Sequence, residues 1–166
     1  MRYFWKIFLT IILLSISSYS FAKKTQELFC IENSLLSSKV QYVIDLDNNY
    51  KIDKNEPVYG FWKRPSGSTR ELNWFEKKSA YGIKYQKKEG DTSVEIALSK
   101  FPEKKITIII LKNKAVPYMM INKKKCILQK VFIKATGSDS WPTVQYAEII
   151  GIDPETNAII SEKIKN

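Results

Sequence analysis

The sequence contains no histidine, and it has only two cysteines, Cys30 and Cys126, among its 166 residues. The lack of histidine excludes the Ser-His-Asp and Cys-His catalytic arrangements and every metal site that needs an imidazole ligand. Two separated cysteines cannot build a structural zinc site alone. Only six glycines are present, and none belongs to a phosphate-binding loop, a dinucleotide fingerprint or a nucleophile elbow. The sequence therefore predicts no cofactor.

The N-terminus has the pattern of a secretory signal peptide. Two basic residues in MRYFWK precede the apolar run IFLTIILLSI, and the following SSYSFA ends in small residues. The apolar run is too short for a transmembrane anchor, which takes about 20 apolar residues. We expect cleavage after Ala22, so that residues 1–22 are a signal peptide and residues 23–166 form a single exported domain. This domain would have no stable membrane span and would act in the periplasm or outside the cell.

Arginine is scarce, because only Arg64 and Arg70 remain once the signal peptide is removed. The whole chain has 27 basic and 17 acidic residues, and without the two basic residues of the signal peptide the net charge is about +8. The lysine runs are scattered along the chain, which argues against a nucleic-acid partner. Attraction to anionic envelope polymers or lipid headgroups is one interpretation, and lysine as an ordinary solvating residue is the other.

Short alternating or β-branched runs, broken by turn residues, fill the rest of the chain. Examples are QELFCIEN, KVQYVIDL, PVYGFWK, KITIIILK and TVQYAEIIGI. The segment RELNWFEKKSAYG has poor helical periodicity and predicts no more than a short helical turn. The pattern predicts an all-β fold, an antiparallel sandwich or small barrel of about 8–10 strands, with short connections between neighbours.

Cys30 and Cys126 allow two interpretations. An oxidising compartment favours a disulfide between them, and their apolar, strand-like surroundings favour two buried free thiols.

The stretch DLDNNYKIDKNE resembles a twelve-residue calcium loop. On that template its candidate ligands are Asp45, Asp47, Asn49, Asp53 and Glu56. The template also needs flanking helices and a glycine at position six, whereas the flanks here are strand-like and position six is Tyr50. An aromatic residue resists positive φ, so we expect Asn48 and Asn49 to be the left-handed residues of a hairpin turn. We predict a solvated hairpin loop, with calcium binding as the alternative.

Three charged residues lie on otherwise apolar strand faces, namely Glu148, Glu32 and Arg64. A charge that points inward must be paired, so the three could form a buried ion network. They are also the candidate catalytic residues of a hydrolase, because carboxylate pairs in such enzymes can be distant in sequence.

Aromatic residues make up 13% of the sequence, and several of them flank turns. Trp62, Tyr81 and Tyr146 are the candidates for lining a cavity or groove, because each lies near a residue that interrupts the apolar pattern. Gly60 and Gly82 would allow a ligand or another backbone to approach closely. Packing in the core is the alternative role for these aromatic side chains.

Four segments have a familiar order along the chain: LFCIENS, NEPVYGFW, RELNWFEKKSAYGI and YAEIIGIDPETNAIISEKI. With these motifs the sequence, from about Leu28 to Ile164, resembles the bacterial family catalogued as domain of unknown function 4833. The segment NSLLSSKV departs from the family pattern, which weakens any role for Glu32. The resemblance implies a small exported all-β domain and supplies no activity.

The sequence thus predicts an exported β-domain that binds a small apolar or amphipathic ligand or an envelope partner. The alternatives are a hydrolase of envelope polymers that uses carboxylates, and an interaction module without a pocket. An enclosed apolar cavity would favour ligand binding, and two facing carboxylates in a cleft would favour the hydrolase. A filled core would favour the interaction module.

Overall fold

Eleven β-strands and one short helical segment make up the part of the chain that the structure, a computed structural model, describes. This part comprises residues 23–52, 55–138 and 141–165, so the predicted signal peptide lies outside it. The strands are β1 (Lys24–Asn33), β2 (Lys39–Leu46), β3 (Val58–Lys63), β4 (Thr69–Glu71), β5 (Ile83–Glu89), β6 (Ser93–Leu98), β7 (Phe101–Leu111), β8 (Lys114–Ile121), β9 (Lys124–Ser138), β10 (Trp141–Ile152) and β11 (Ile159–Lys165). Between β4 and β5 lie α1 (Trp74–Glu76) and a π-helical turn (Lys77–Tyr81). The predicted all-β class is confirmed.

The strands form one curled sheet with the shape of a half-barrel. Its main path runs β4-β3-β2-β1-β9-β8-β7-β6-β5, and β10 and β11 extend it from the other edge of β9. Every pair along the path is antiparallel except β1 and β9, which are parallel. The predicted antiparallel pairing is therefore present between strands that follow one another in the chain. The one parallel pair on this path joins β1 to β9, which are distant in sequence.

Strand β9 is long enough to serve two neighbours along one edge. Its first residues pair with β8 in a register that places Ile127 opposite Tyr118, and its later residues pair with β1, where Lys130 lies opposite Cys30. We call strands β1–β4 the first arm and strands β5–β8 the second arm. Both arms therefore start from the same edge of β9, one next to the other. The half-barrel is the result of these two arms curling towards each other.

The core fills the space between the arms. Tyr42 of β2 stacks on Phe29 of β1 with their ring centroids 4.6 Å apart, and both are buried. Alternate positions of β6 and β7 supply the opposite wall, as the period of two in a strand requires. The largest fully buried side chains include Tyr42, Phe29, Ile44, Ile96, Ile106 and Leu128. Burying aliphatic and aromatic side chains of this size contributes roughly 1.5–3 kcal/mol each, so this core is the main source of stability.

The two cysteines are free buried thiols, so the disulfide interpretation does not hold in the structure. Cys30 lies opposite Lys130, and Cys126 lies four residues earlier on the same strand β9. Four residues along a strand span roughly 13 Å, whereas a disulfide needs Cα atoms within about 7 Å. The parallel register between β1 and β9 therefore keeps the sulfur atoms apart.

We expect both thiols to react slowly with a thiol reagent in the native protein and fully after unfolding. Burial raises the pKa of both Cys30 and Cys126, which reduces the fraction of reactive thiolate further. Titration with an aromatic disulfide reagent, with and without denaturant, measures this, and a reductant should leave the melting temperature unchanged. A bridged peptide containing both cysteines in a non-reducing mass map would contradict the expectation.

Candidate functional site

A cleft of about 660 Å³ separates the two ends of the curled sheet. One side is formed by Val58–Phe61 of β3 and by Thr69–Leu72, which includes β4. The other side is formed by Tyr81–Ile83 with Lys77 and Tyr85. The volume lies in the range of pockets that bind small molecules. The cleft is therefore the candidate functional site in the described part of the chain.

The β3 side of the cleft is a strand edge without a strand beside it. Strand β4 pairs only with residues from Phe61 onwards, so nothing in the described chain pairs with the preceding residues of β3 as a strand. The amide of Asp45 donates to the carbonyl of Pro57 at 2.9 Å, which fixes the alternation of backbone groups between β2 and β3. By this alternation, Val58 and Gly60 direct their backbone groups away from β2, and both groups of Val58 are bound there by the Tyr85 hydroxyl.

The β5 side of the cleft is a free strand edge, because β5 pairs only with β6 among the described strands. The amide of Ser99 donates to the carbonyl of Gly82 at 2.9 Å, and the same alternation then turns the backbone groups of Ile83 towards the cleft. The backbone groups of Ile83 thus face the cleft, next to apolar side chains.

Two tyrosine hydroxyls tie the sides of the cleft together. The Tyr85 hydroxyl accepts from the Val58 amide at 2.8 Å and donates to the Val58 carbonyl at 2.5 Å. Burial raises the pKa of Tyr85 to about 12, so the phenol keeps its proton and its role as a donor at neutral pH. From the core, the Tyr42 hydroxyl donates to the Tyr81 carbonyl at 2.8 Å. These bonds hold the arms at a fixed separation while the rest of the gap stays open.

The other end of the cleft is held by a polar cluster around Glu76. The indole N–H of Trp62 donates to Glu76 at 3.0 Å, and Arg70 forms an ion pair with the same carboxylate at 2.6 Å. Partial burial opposes ionisation of Glu76, but hydrogen bonds from Arg70, from the Asn73 amide and from Trp62 outweigh it and hold its pKa below the usual value. Trp62 also contacts Tyr81 edge to face, with centroids 5.2 Å apart.

Three charged side chains on the cleft rim have no ion-pair partner within the described residues. They are the carboxylates of Glu56 and Glu71 and the ammonium group of Lys77, and all three are exposed. The charge of Glu56 also raises the pKa of Tyr85, which places this carboxylate near the bridging hydroxyl. These charges are free to interact with a polar group on a bound molecule.

The structure brings together two of the three predicted aromatic residues. Tyr81 lines the cleft, and Trp62 packs behind it. Tyr146 lies on β10, where the Lys163 ammonium group is 4.9 Å from its ring centroid, and it does not line the cleft. Another backbone approaches closely at Gly82, as predicted, because a Cβ there would lie 1.9 Å from the Lys77 carbonyl. At Gly60 the nearest atoms belong to side chains, and a Cβ would lie 3.0 Å from the Tyr42 ring.

The three charged candidates are not gathered into the predicted ion network. Glu32 pairs with Lys130 at 2.8 Å, and Glu148 lies on β10, level with the same region of β9. Arg64 is exposed in the turn between β3 and β4, because the strand ends before it. None of these three residues lines the cleft, so their sequence pattern reflects strand alternation near the surface.

The calcium-like loop connects β2 and β3, and two of its carboxylates, Asp45 and Asp47, already accept hydrogen bonds. Asp45 accepts hydrogen bonds from Thr25 at 2.9 Å and from Tyr59 at 3.2 Å, and Asp47 accepts from the Asn49 and Lys51 amides. Asp53 lies outside the described residues, and Glu56 is exposed on the cleft rim. No cluster of three metal-ligating side chains occurs within the described ranges.

The expectation that Tyr50 would resist a positive φ was wrong. Tyr50 has a φ of 60°, so the aromatic residue itself takes the left-handed conformation that was expected at Asn48 and Asn49. The Lys24 ammonium group lies 3.7 Å from the Tyr50 ring centroid and also donates to the Asn48 carbonyl, and these contacts favour this conformation.

The tyrosines that shape the cleft were missed, although a signal existed. Tyr42 and Tyr85 lie at alternating positions of strands whose other inward residues are aliphatic. A buried phenol needs a hydrogen-bond partner, so a tyrosine in such a row marks a place where another chain segment approaches.

The fold and this cleft define a class of protein: an all-β half-barrel with a candidate binding site between its two sheet ends. The chain belongs to the family described as domain of unknown function (DUF4833), which matches residues 29–163. The resemblance predicted from the motifs is thereby confirmed. Comparisons with curated proteins and with solved structures gave no match. No helix in the described part of the chain is long and apolar enough to span a bilayer.

Proposed function

We propose that this chain is an exported protein that binds a small amphipathic ligand in the cleft between β3 and β5. The observation that carries the proposal is a cleft of about 660 Å³ with an aromatic and aliphatic lining, bordered by the edge of β5 that pairs with no other described strand. The backbone groups of Ile83 on that edge favour a ligand with hydrogen-bonding groups, and the lining favours one with an apolar body. The unpaired charges on the rim could contact a polar end of the same molecule.

Export is part of this proposal and is supported by the N-terminal sequence pattern alone. The run IFLTIILLSI between a basic start and a small-residue end is typical of a signal peptide. The periplasm or the outside of the cell is then the place where the ligand is met.

The alternatives have less support. A hydrolase would need two facing carboxylates, and Glu32 and Glu148 lie outside the cleft. Glu56 and Glu71 do lie on its rim, but Glu56 precedes β3 whereas Glu71 pairs with Phe61 in the second half of that strand, so the two residues are not cross-strand neighbours. A module without a pocket is not favoured, because the cleft is large enough for a ligand.

We expect protein purified from its natural host to retain a bound small molecule, visible in native mass spectra as an added mass that denaturation removes. Phe61→Ala removes an apolar wall of the cleft and should lower the occupancy about tenfold or more, because a buried aromatic contact is lost. Tyr118→Ala is the matched control, since Tyr118 is a half-buried aromatic residue on β8, away from the cleft. Its occupancy should equal that of the wild type.

Two results would count against the proposal. One is the absence of any added mass in protein from the natural host. The other is an added mass whose occupancy is the same in Phe61→Ala as in the wild type, because the molecule would then be bound elsewhere.

A further inference from the structure

Two neighbouring aromatic side chains on the helical segment are unusually exposed. Trp74 has 71% of its surface exposed and Phe75 has 68%. Single exposed apolar residues are normal on a protein surface, but adjacent large exposed aromatic residues are a feature of interaction sites. We call Trp74, Phe75, Lys77 and Lys78 the aromatic knob.

The aromatic knob is fixed in position by hydrogen bonds to neighbouring residues. The Asn73 side chain accepts from the Glu76 amide, and the Glu76 carboxylate accepts from the Asn73 amide. These two bonds form a capping box at the N-terminus of α1. The same carboxylate is bound by Arg70 and Trp62, which belong to the first arm. The turn that carries the aromatic rings is therefore anchored to the sheet.

Positive charge accompanies the exposed rings. Lys77 and Lys78 follow directly in the chain, both are exposed, and neither has a carboxylate partner within the described residues. The Lys78 ammonium group lies 4.9 Å from the Trp74 ring centroid, so aromatic and cationic groups share one small surface. Without the predicted signal peptide the net charge is about +8, which adds a long-range attraction to any anionic surface.

We propose that the aromatic knob docks the protein on the surface of an anionic lipid bilayer. Tryptophan and other aromatic rings are enriched at the level of lipid headgroups, where an amphipathic ring is stable, and lysines near a membrane bind acidic headgroups. Phe75 and Trp74 would enter the headgroup layer, and the two lysines would contact the phosphates. Lys77 also lies on the rim of the cleft, so docking would bring the cleft mouth close to the lipid. The proposed docking of the aromatic knob does not depend on which ligand the cleft binds.

Sedimentation with lipid vesicles tests this docking. Vesicles of phosphatidylcholine with about 30% phosphatidylglycerol should bind the wild type, and vesicles of phosphatidylcholine alone should bind it far less. The double variant Trp74→Ala, Phe75→Ala should lose about tenfold or more in partitioning to the anionic vesicles, because two apolar side chains no longer enter the interface. Lys77→Glu with Lys78→Glu should weaken binding as well. All variants should keep the wild-type melting temperature, since the altered side chains are exposed.

The matched control is Met120→Ala with Ile159→Ala, which removes two large exposed apolar side chains on β8 and β11 and should leave vesicle binding unchanged. A second readout is tryptophan emission, which should shift to shorter wavelength on anionic vesicles in the wild type and not in Trp74→Phe. Equal binding of the wild type and the Trp74→Ala, Phe75→Ala variant would overturn the proposal, because net charge alone would then explain it. Equal binding to neutral vesicles, or no binding to either kind, would also overturn it.

Discussion

Replacing Gly82 with alanine is expected to lower the free energy of unfolding by about 3 kcal/mol or more. A Cβ at this position would lie 1.9 Å from the Lys77 carbonyl oxygen and 2.8 Å from the Ser99 hydroxyl. The first contact is with backbone, so the π-helical turn or β5 must move to relieve it. Movement of β5 would also disturb the hydrogen bond from the Ser99 amide to the Gly82 carbonyl. Urea unfolding followed by circular dichroism measures the change.

Gly60→Ala is the matched control, because Gly60 lies on the opposite side of the same cleft. Its Cβ would lie 3.0 Å from the Tyr42 ring and 3.2 Å from the Val40 side chain, and side chains can shift by a few tenths of an ångström. We expect a cost of about 1 kcal/mol. If Gly82→Ala cost no more than Gly60→Ala, the close contact with the Lys77 carbonyl would not be a constraint in solution.

Replacing Tyr42 with alanine is expected to cost about 4 kcal/mol of stability, since large aromatic truncations in a core cost about 3–5 kcal/mol. The ring is fully buried and stacks on Phe29, so the surrounding strands cannot easily fill the cavity. The change also removes the hydrogen bond to the Tyr81 carbonyl, which joins the core to the wall of the cleft.

Tyr42→Phe separates the two contributions, because it keeps the ring and removes only the hydroxyl. We expect it to cost about 1–2 kcal/mol, the range for a lost hydrogen bond with a buried partner left unpaired. Equilibrium unfolding in urea compares the two variants with the wild type. A Tyr42→Phe variant as unstable as Tyr42→Ala would show that the hydroxyl, and not the packing of the ring, dominates.

The individual strands could be predicted from the sequence because each depends on local pattern. The segment KVQYVIDL is β2 from its first residue to its last, and the β-branched run KITIIILK lies within β7 apart from its final lysine. The segment RELNWFEKKSAYG, with its poor periodicity, contains the end of β4 and the short helical segment. Hydrophobic alternation and turn residues act over a few positions, and a single sequence contains that information in full.

The cleft could not be predicted in the same way, because it depends on strands that are distant in sequence. Trp62 and Tyr81 were candidates through their neighbours in the chain, but the bridge from Tyr85 to Val58 depends on how far each arm curls. The same limit explains why Tyr146 was wrongly expected to line the cleft. Its strand β10 has the right alternation, but it pairs with the edge of β9 opposite to the two arms. The separation of Glu32 from Arg64 is likewise decided by topology and not by pattern.

The parallel pair of β1 and β9 has a consequence for how the chain folds. Each arm consists of neighbouring strands that can pair soon after they are made, whereas Cys30 meets Lys130 only after about a hundred intervening residues have been synthesised. The entropy of closing so long a loop is lost before the contacts between the arms repay it, which is typical of slow-folding β proteins. Until then the free edge of β1 is exposed and able to pair with other chains. We therefore expect the joining of the arms on β9 to limit the folding rate, and a chaperone that covers the β1 edge would be most useful during that interval.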